Sequence, residues 1–294
     1  MRRAERRLAF GLSMAVADLP VRCCPVVARD VAQQEQKTMS LTEKEQAIKD
    51  AFVHVHHTWD AQWESILRLD ADFLEAYLQF SAVPWKKNHL SPKVKAFVSI
   101  TACAAATHLY APGIAQHLRA AILFGATREE LMEVLELAST VGIHASNVGV
   151  PVLLEVLEEE GLRKGPQPLD ERREALKKSF IENRGYWHAS WEGLLELDPE
   201  LFDAYVAFSS VPWKTGVLEP KIKELMYCAF DAAATHLYVP GLKLHMRNAI
   251  RYGATAEEIM EVLEIVSMIG IHGAAVAAPM LEKALAEAPA ARSG

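Results

Sequence analysis

The sequence predicts an all-α protein made of two similar helical domains in tandem. Three observations carry that prediction. The heptad Ala104-Ala105-Ala106-Thr107-His108-Leu109-Tyr110 returns as Ala232-Ala233-Ala234-Thr235-His236-Leu237-Tyr238, and about half the positions from Phe52 to Leu157 match their partners at the same offset. Helix start and stop signals stand at matched places in both copies. No alternating apolar pattern is long enough to make a strand. The duplication serves as an internal comparison: a residue kept in both copies belongs to the shared design, and one found in a single copy is not needed by it.

Each element has a local reason. Thr42-Glu43-Lys44-Glu45 is a capping box, and Asp170 is an N-cap for the second copy. A long amphipathic helix is expected next, carrying Phe52, Trp59 and Trp63, with Phe180, Trp187 and Trp191 in the second copy. A helix around Phe73 to Phe80 ends at Val83-Pro84-Trp85, matched by Val211-Pro212-Trp213. Ser91-Pro92-Lys93 and Glu219-Pro220-Lys221 place proline at a helix start, where its missing N–H is harmless. The following helix is Ala-rich, which suits close helix–helix contact, and runs to Tyr110 or Tyr238. Pro112-Gly113 and Pro240-Gly241 then break the chain and open the helix bearing His117 or His245. Gly125 and Gly253 suit a left-handed C-cap. Thr127-Arg128-Glu129-Glu130 and Thr255-Ala256-Glu257-Glu258 are capping boxes for the next helix, which reaches Gly142-Ile143-His144 or Gly270-Ile271-His272. A last helix closes the copy at Pro151 to Leu157. The domains are therefore placed at residues 41–163 and 169–287, with a linker at 164–168 and a frayed tail at 288–294.

Composition narrows the function classes. The chain is 51% hydrophobic and 23% charged, with a net charge of −7 and no basic block, so no nucleic-acid surface is expected. The longest apolar stretches are interrupted by charge or glycine, and no membrane span is expected. The cysteines do not repeat: Cys103 faces Asp231, Cys228 faces Ile100, and Cys23 and Cys24 lie outside the copies. That pattern fits a reducing, cytoplasmic protein with neither a disulfide framework nor a Cys-x-x-Cys pair. Arg2, Arg3, Arg6 and Arg7 precede a short apolar stretch that loosely resembles a targeting segment, but Met39 stands directly before the repeat. Residues 1–40 are read as a disordered extension or a start assigned too far upstream.

The segment from Pro92-Lys93 through His117-Leu118-Arg119 to Gly125-Ala126-Thr127-Arg128-Glu129-Glu130 resembles the carboxymuconolactone decarboxylase family, which includes the alkyl hydroperoxidase D-like proteins. The second copy repeats it from Pro220-Lys221 through His245-Met246-Arg247 to Gly253-Ala254-Thr255-Ala256-Glu257-Glu258. The resemblance implies an all-helical fold whose two domains intertwine as a pseudo-dimer, and a homo-oligomer (dimer or trimer) of the duplicated chain. It implies no metal and no cofactor. Where the peroxidase-like branch has Cys-x-x-Cys before its histidine, this chain has Tyr110 and Gly113, and Tyr238 and Gly241. The glutamate of that branch falls on Val98 and Met226. Peroxidase activity is therefore excluded, because a thiolate is the nucleophile of such cycles. The decarboxylase branch needs no cysteine.

His117 and His245 carry over from the family's site histidine, and His108 and His236 precede the chain break that leads to it. Imidazole pairs supply acid and base near neutral pH, although tight turns also preserve purely structural histidines. Tyr110 and Tyr238 are placed to hold a substrate oxygen, or else to plug a helix end. Arg119 and Arg247, with the exposed-looking Lys86 and Lys214, are candidate receivers of a substrate carboxylate. Trp85 and Trp213 are expected to pack the core or wall a pocket. Glu133, Glu261, Glu136 and Glu264 are placed on a solvated helix face, with a glutamate reaching across the domain pair as a proton shuttle as the alternative. His144 and His272 complete a repeated trio, so His108, His117 and His144 are a possible metal set, although no paired His spacing supports it. His54, His56, His57 and His89 are unrepeated and read as peripheral or as features of the first copy alone.

The expectation is a cofactor-independent lyase of the carboxymuconolactone decarboxylase type, acting on a small carboxylated lactone or ring-cleavage product. Two alternatives stand beside it: a non-catalytic helical binding or assembly protein, and a His-ligated metal-dependent lyase or hydrolase.

Overall fold

Residues 40–288 are described in a computed structural model of the chain, and no strand occurs among them. The expectations for residues 1–38 and for most of the 288–294 tail lie outside the described residues. The described chain from Glu43 onward forms one compact unit. Within that unit the first copy supplies α1 (Glu43–His56), α2 (Ala61–Leu69), α3 (Ala71–Ser81), α4 (Val83–Lys86), α5 (Pro92–Ala104), α6 (Ala111–Leu123), α7 (Arg128–Ser139) and α8 (His144–Glu159). The second copy supplies α9 (Glu171–Arg184), α10 (Ser190–Leu197), α11 (Pro199–Ser209), α12 (Val211–Thr215), α13 (Pro220–Ala232), α14 (Val239–Arg251), α15 (Ala256–Ser267) and α16 (Ile271–Glu287).

Most boundaries follow from the side chains at the ends. The Asp70 carboxylate accepts from the Phe73 N–H at 2.8 Å to cap α3, and Ser91 caps α5. Thr127 with Glu130, and Thr255 with Glu258, form complete capping boxes at α7 and α15. One expectation fails: the long first helix is two helices. Asp60 accepts from the Gln62 and Trp63 N–H groups and starts α2 afresh, so Trp59 lies in the connection. Gly185, with φ +73°, ends α9 at the matching point.

The core lies at the pairing of α5 with α13. Every α5 residue from Val94 to Cys103 is buried, and α15 packs on α5 as α7 packs on α13. Phe97, Ile100, Met226 and Phe230 are all at most 1% exposed within one apolar cluster that spans the two copies. The last helices are exchanged: α16 lies on α2 of the first copy, and α8 lies on α10 of the second. Gly193 allows the second of these contacts, because a Cβ there would come within 2.7 Å of Leu154 Cδ1. The copies are thus intertwined.

Two runs, Arg128–Glu159 and Ala256–Glu287, are long and apolar enough to cross a membrane, contrary to the reading of the sequence. Each consists of two helices joined by a 3₁₀ turn, Thr140–Ile143 or Met268–Gly270, and packs on the other copy.

The expectation of a solvated face for Glu133 and Glu261 is also wrong. Both are at most 2% exposed and reach across the copies. Glu133 accepts from the Val217 N–H at 3.0 Å, the Leu218 N–H at 2.8 Å and the Thr215 hydroxyl, and faces Lys223 Nζ at 3.4 Å. Glu261 accepts from the His89 and Leu90 N–H groups and faces Lys95 Nζ at 3.6 Å. These carboxylates replace the donors' lost water with fixed partners. The reach across the copies matches the alternative reading, although sequence pattern does not name the partners, because they lie on the other copy.

Candidate functional site

Each copy's chain break is held by its own backbone. The Tyr110 N–H returns to the Cys103 carbonyl at 3.0 Å, and the Tyr238 N–H to the Asp231 carbonyl at 2.9 Å. Leu109 and Leu237 sit in the left-handed region, with φ of 47° and 52°. Non-glycine residues pay about 1–2 kcal/mol there, so the repeated break is a strained and specific shape. The glycine after the repeated proline serves packing: a Cβ on Gly241 would come 2.5 Å from Asp231 Oδ2 and 2.6 Å from the Tyr238 ring.

The exchanged helices complete these breaks. His272, at the start of α16, places Nδ1 2.9 Å from His108 Nε2 and lies under the Tyr110 ring, with centroids 3.9 Å apart. His144, at the start of α8, places Nδ1 2.6 Å from His236 Nε2 and lies under Tyr238 at 4.0 Å. The trio His108, His117 and His144 is therefore not one set. The structure groups His108 and His117 with His272, and His236 and His245 with His144.

Beside the first break is a small cavity lined by His56, Trp63, Tyr77, Trp85, His117 and His272, among others. His56, read as peripheral, is on its wall and bonds Ser81 Oγ at 2.8 Å. Burial pushes His117 down to about 4 and, helped by neighbouring histidines, His56 and His272 to about 3. Burial also pushes the Cys103 thiol on this wall up to about 12, so it is no thiolate. Among the described residues, no carboxylate lines this cavity.

Beside the second break is a second small cavity, and it differs in chemistry. His245 lines it, and its Nδ1 lies 2.6 Å from Glu224 Oε2; Asn248 donates to the other oxygen of Glu224 at 3.3 Å. Arg184, Tyr186, Tyr205, Tyr227, Tyr238 and Asn147 share the wall. Arg184 donates to the Ser209 carbonyl and lies over Trp213, while its buried Nε has no hydrogen-bond partner. Asp231 is fully buried, and burial followed by the charge of Glu224 pushes its carboxyl up to about 8.

The repeat comparison missed these groups because they are unrepeated. Glu224, Asp231, Arg184 and Asn248 stand opposite Ala96, Cys103, His56 and Ala120. A signal was present: Glu224 and Asp231 lie seven apart, on one face of a helix whose stretch between them, Leu225 to Phe230, carries no charge. Of the predicted carboxylate receivers, Arg119 and Arg247 are exposed and line neither cavity, and Lys86 and Lys214 are exposed too. Trp85 lines the first cavity. Trp213 lies behind the second, its Nε1 donating to the Tyr227 hydroxyl at 3.1 Å. His108 and Tyr110 bound the first break without lining its cavity; the Tyr110 hydroxyl donates to Gln62 at 2.6 Å.

Comparison with known proteins agrees with this architecture. The chain is 66% identical to a protein of solved structure from Burkholderia xenovorans LB400, provisionally described as a gamma-carboxymuconolactone decarboxylase subunit. The match covers 85% of this chain and 98% of that one, with a TM-score of 0.81. No protein of curated function matches. The model of the carboxymuconolactone decarboxylase family matches twice, over residues 71–154 and 199–282, once in each copy. With both copies matched and the intertwined helical fold in place, the chain belongs to the carboxymuconolactone decarboxylase family.

Proposed function

We propose that the chain is a decarboxylating lyase whose working site is the cavity beside the second break, acting on a small carboxylated lactone or related ring-cleavage product. The observation that carries this reading is the Glu224–His245 pair at the wall of a cavity that also holds Arg184. A carboxylate on Nδ1 fixes the tautomer and leaves Nε2 as the working nitrogen. His117 has Ala96 where His245 has Glu224, and its low basicity makes it a poor proton carrier near neutral pH.

In the proposed reaction Arg184 receives a carboxylate that the substrate keeps. The bond to the departing carboxylate breaks, CO2 leaves, and the electron pair enters the conjugated ring carbonyl as an enolate. Tyr238 at the break holds the enolate oxygen. The His245 imidazolium returns one proton to carbon and is recharged from water. A small-molecule carboxylate is thus the partner. The exposed apolar stripe of Val148, Val152 and Val156 on α8 supports a homo-oligomer of the duplicated chain.

Turnover of carboxymuconolactone-like acids by wild type and variants tests the reading. His245→Ala is expected to lower kcat by about 10²–10⁴-fold, the range of a positioned acid/base group, while His117→Ala stays within about threefold. Glu224→Gln is expected to lower kcat and to move the pH profile. Full activity in His245→Ala, or no turnover of any such acid by wild type, refutes it.

A further inference from the structure

We infer that His144, Asp231 and His236 form a binding site for one divalent transition-metal ion per chain. The three residues come from different places: the start of α8, the last turn of α13, and the second break. Among the described residues they are the one group of three such side chains whose ligand atoms all lie within 4.8 Å of one another.

Two observations point independently to an ion. Asp231 is 0% exposed, and neither of its oxygens has a hydrogen-bond partner; His144 Nδ1 lies 3.6 Å from Oδ1. A buried carboxylate costs several kcal/mol unless a proton, a donor or a cation answers it. Glu224 stands seven residues earlier on the same helix face and adds a second negative charge. Separately, His144 Nδ1 and His236 Nε2 converge on one point, 2.6 Å apart. An ion bound at about 2.0–2.1 Å to each nitrogen needs them roughly 3.3 Å apart, a small opening for half-buried His236.

Two imidazoles and one carboxylate are a donor set for Zn2+ and for Fe2+-like ions, and three protein ligands leave a position open. Access exists on both sides. His144 and His236 line an open recess of about 910 Å³, and His144 also lines the inner cavity. Gly241 keeps clear the space beside Asp231 Oδ2. The first break has the matching pair, His272 and His108, with Cys103 where Asp231 stands, but among the described residues no three ligand atoms gather there within 4.8 Å, so one site per chain is expected rather than two.

The experiment uses the full chain stripped with chelator and titrated with Zn2+ by calorimetry, and with Co2+ by visible absorption. Wild type is expected to bind one ion of each and to show the Co2+ d–d bands of a low-coordinate site. Asp231→Asn, close in shape and uncharged, should lose affinity by about 100-fold or more, and His236→Ala likewise, with circular dichroism confirming the fold. His108→Ala should bind as wild type. His245→Ala, which removes the proposed proton carrier, should keep the ion, so failure of the lyase reading and failure of this one are separable. No saturable binding of Zn2+ or Co2+ by wild type overturns the inference and leaves a proton as the partner of Asp231. Undiminished binding by a folded Asp231→Asn variant, or two ions per chain, overturns it equally.

Discussion

Both cavities are bounded by side chains from both copies, so the contacts that hold the copies in register are where a stability test is sharpest. Glu133→Ala is the perturbation of choice. It removes a carboxylate 2% exposed that answers two backbone N–H groups, one hydroxyl and the ammonium of Lys223, itself 2% exposed. After the change Lys223 retains the Pro212 carbonyl as its polar partner while its charge stays buried. Breaking one side of a buried ion pair costs about 3–5 kcal/mol, and the abandoned N–H groups add to it. At roughly 2–4 °C per kcal/mol for a domain of this size, Tm should fall by about 10 °C or more. Burial acts to raise the Glu133 pKa, but hydrogen bonds from Thr215, Leu218 and Val217 and the Lys223 charge outweigh it and hold it below the usual carboxylate range. The contribution is therefore fully present at neutral pH and is lost as pH falls through the lowered folded value. Thermal melts of wild type and Glu133→Ala at pH 7 and in acid measure both effects. A Tm within 2 °C of wild type at pH 7 would refute the reasoning, as would a difference that fails to shrink in acid (about one unit below the ordinary pKa,).

Three further outcomes follow from individual residues. Gly193→Ala forces a Cβ to 2.7 Å from Leu154 and 2.9 Å from Val150. Overpacking of this kind costs about 1–3 kcal/mol, read as a lowered urea midpoint; an unchanged midpoint would mean that α8 does not seat on α10 so closely. Leu237→Gly relieves φ +52° at an exposed side chain, so it should be neutral or stabilising by up to about 1 kcal/mol, whereas glycine at the helical, exposed Leu123 should destabilise. His56 and His117 are depressed to about 3 and about 4 by burial, so their stabilisation is complete above the unfolded value near 6.5 and is lost as pH falls below it. For His117 alone this amounts to an upper bound of about 3 kcal/mol, and His117→Gln should flatten the acid limb of the Tm profile; an unaltered limb refutes the assignment.

How far the sequence discloses this protein depends on which kind of constraint a residue answers. Capping boxes, helix-start prolines and C-cap glycines act within a few residues, so the start of α7 at Thr127 and its twin at Thr255 could be read directly. The break of α1 from α2 was less legible, since the amphipathic pattern continues across it and only Asp60 marks the restart. Glu133 and Glu261 were misread for the opposite reason: an acid on a helix normally means water, and nothing local says that the other copy's backbone will occupy that place. The duplication sharpened the view of His108, His117 and their twins, but it averages over the copies and so hides any difference between them. In the structure that difference is concentrated at one place. Glu224, Asp231, Arg184 and Asn248 all fall at or beside the second break, while their partners in the first copy are alanine, cysteine, histidine and alanine. Shared residues make the frame, namely the strained break, its stacked tyrosine and the histidine from the exchanged helix. A frame built twice can keep its stability while one of its two cavities gathers charge, and burying three polar side chains beside a half-buried arginine at one break is a cost that stability alone gives no reason to bear. Retention in both copies therefore identifies the shared frame here, and divergence between them marks where the two cavities differ in charge.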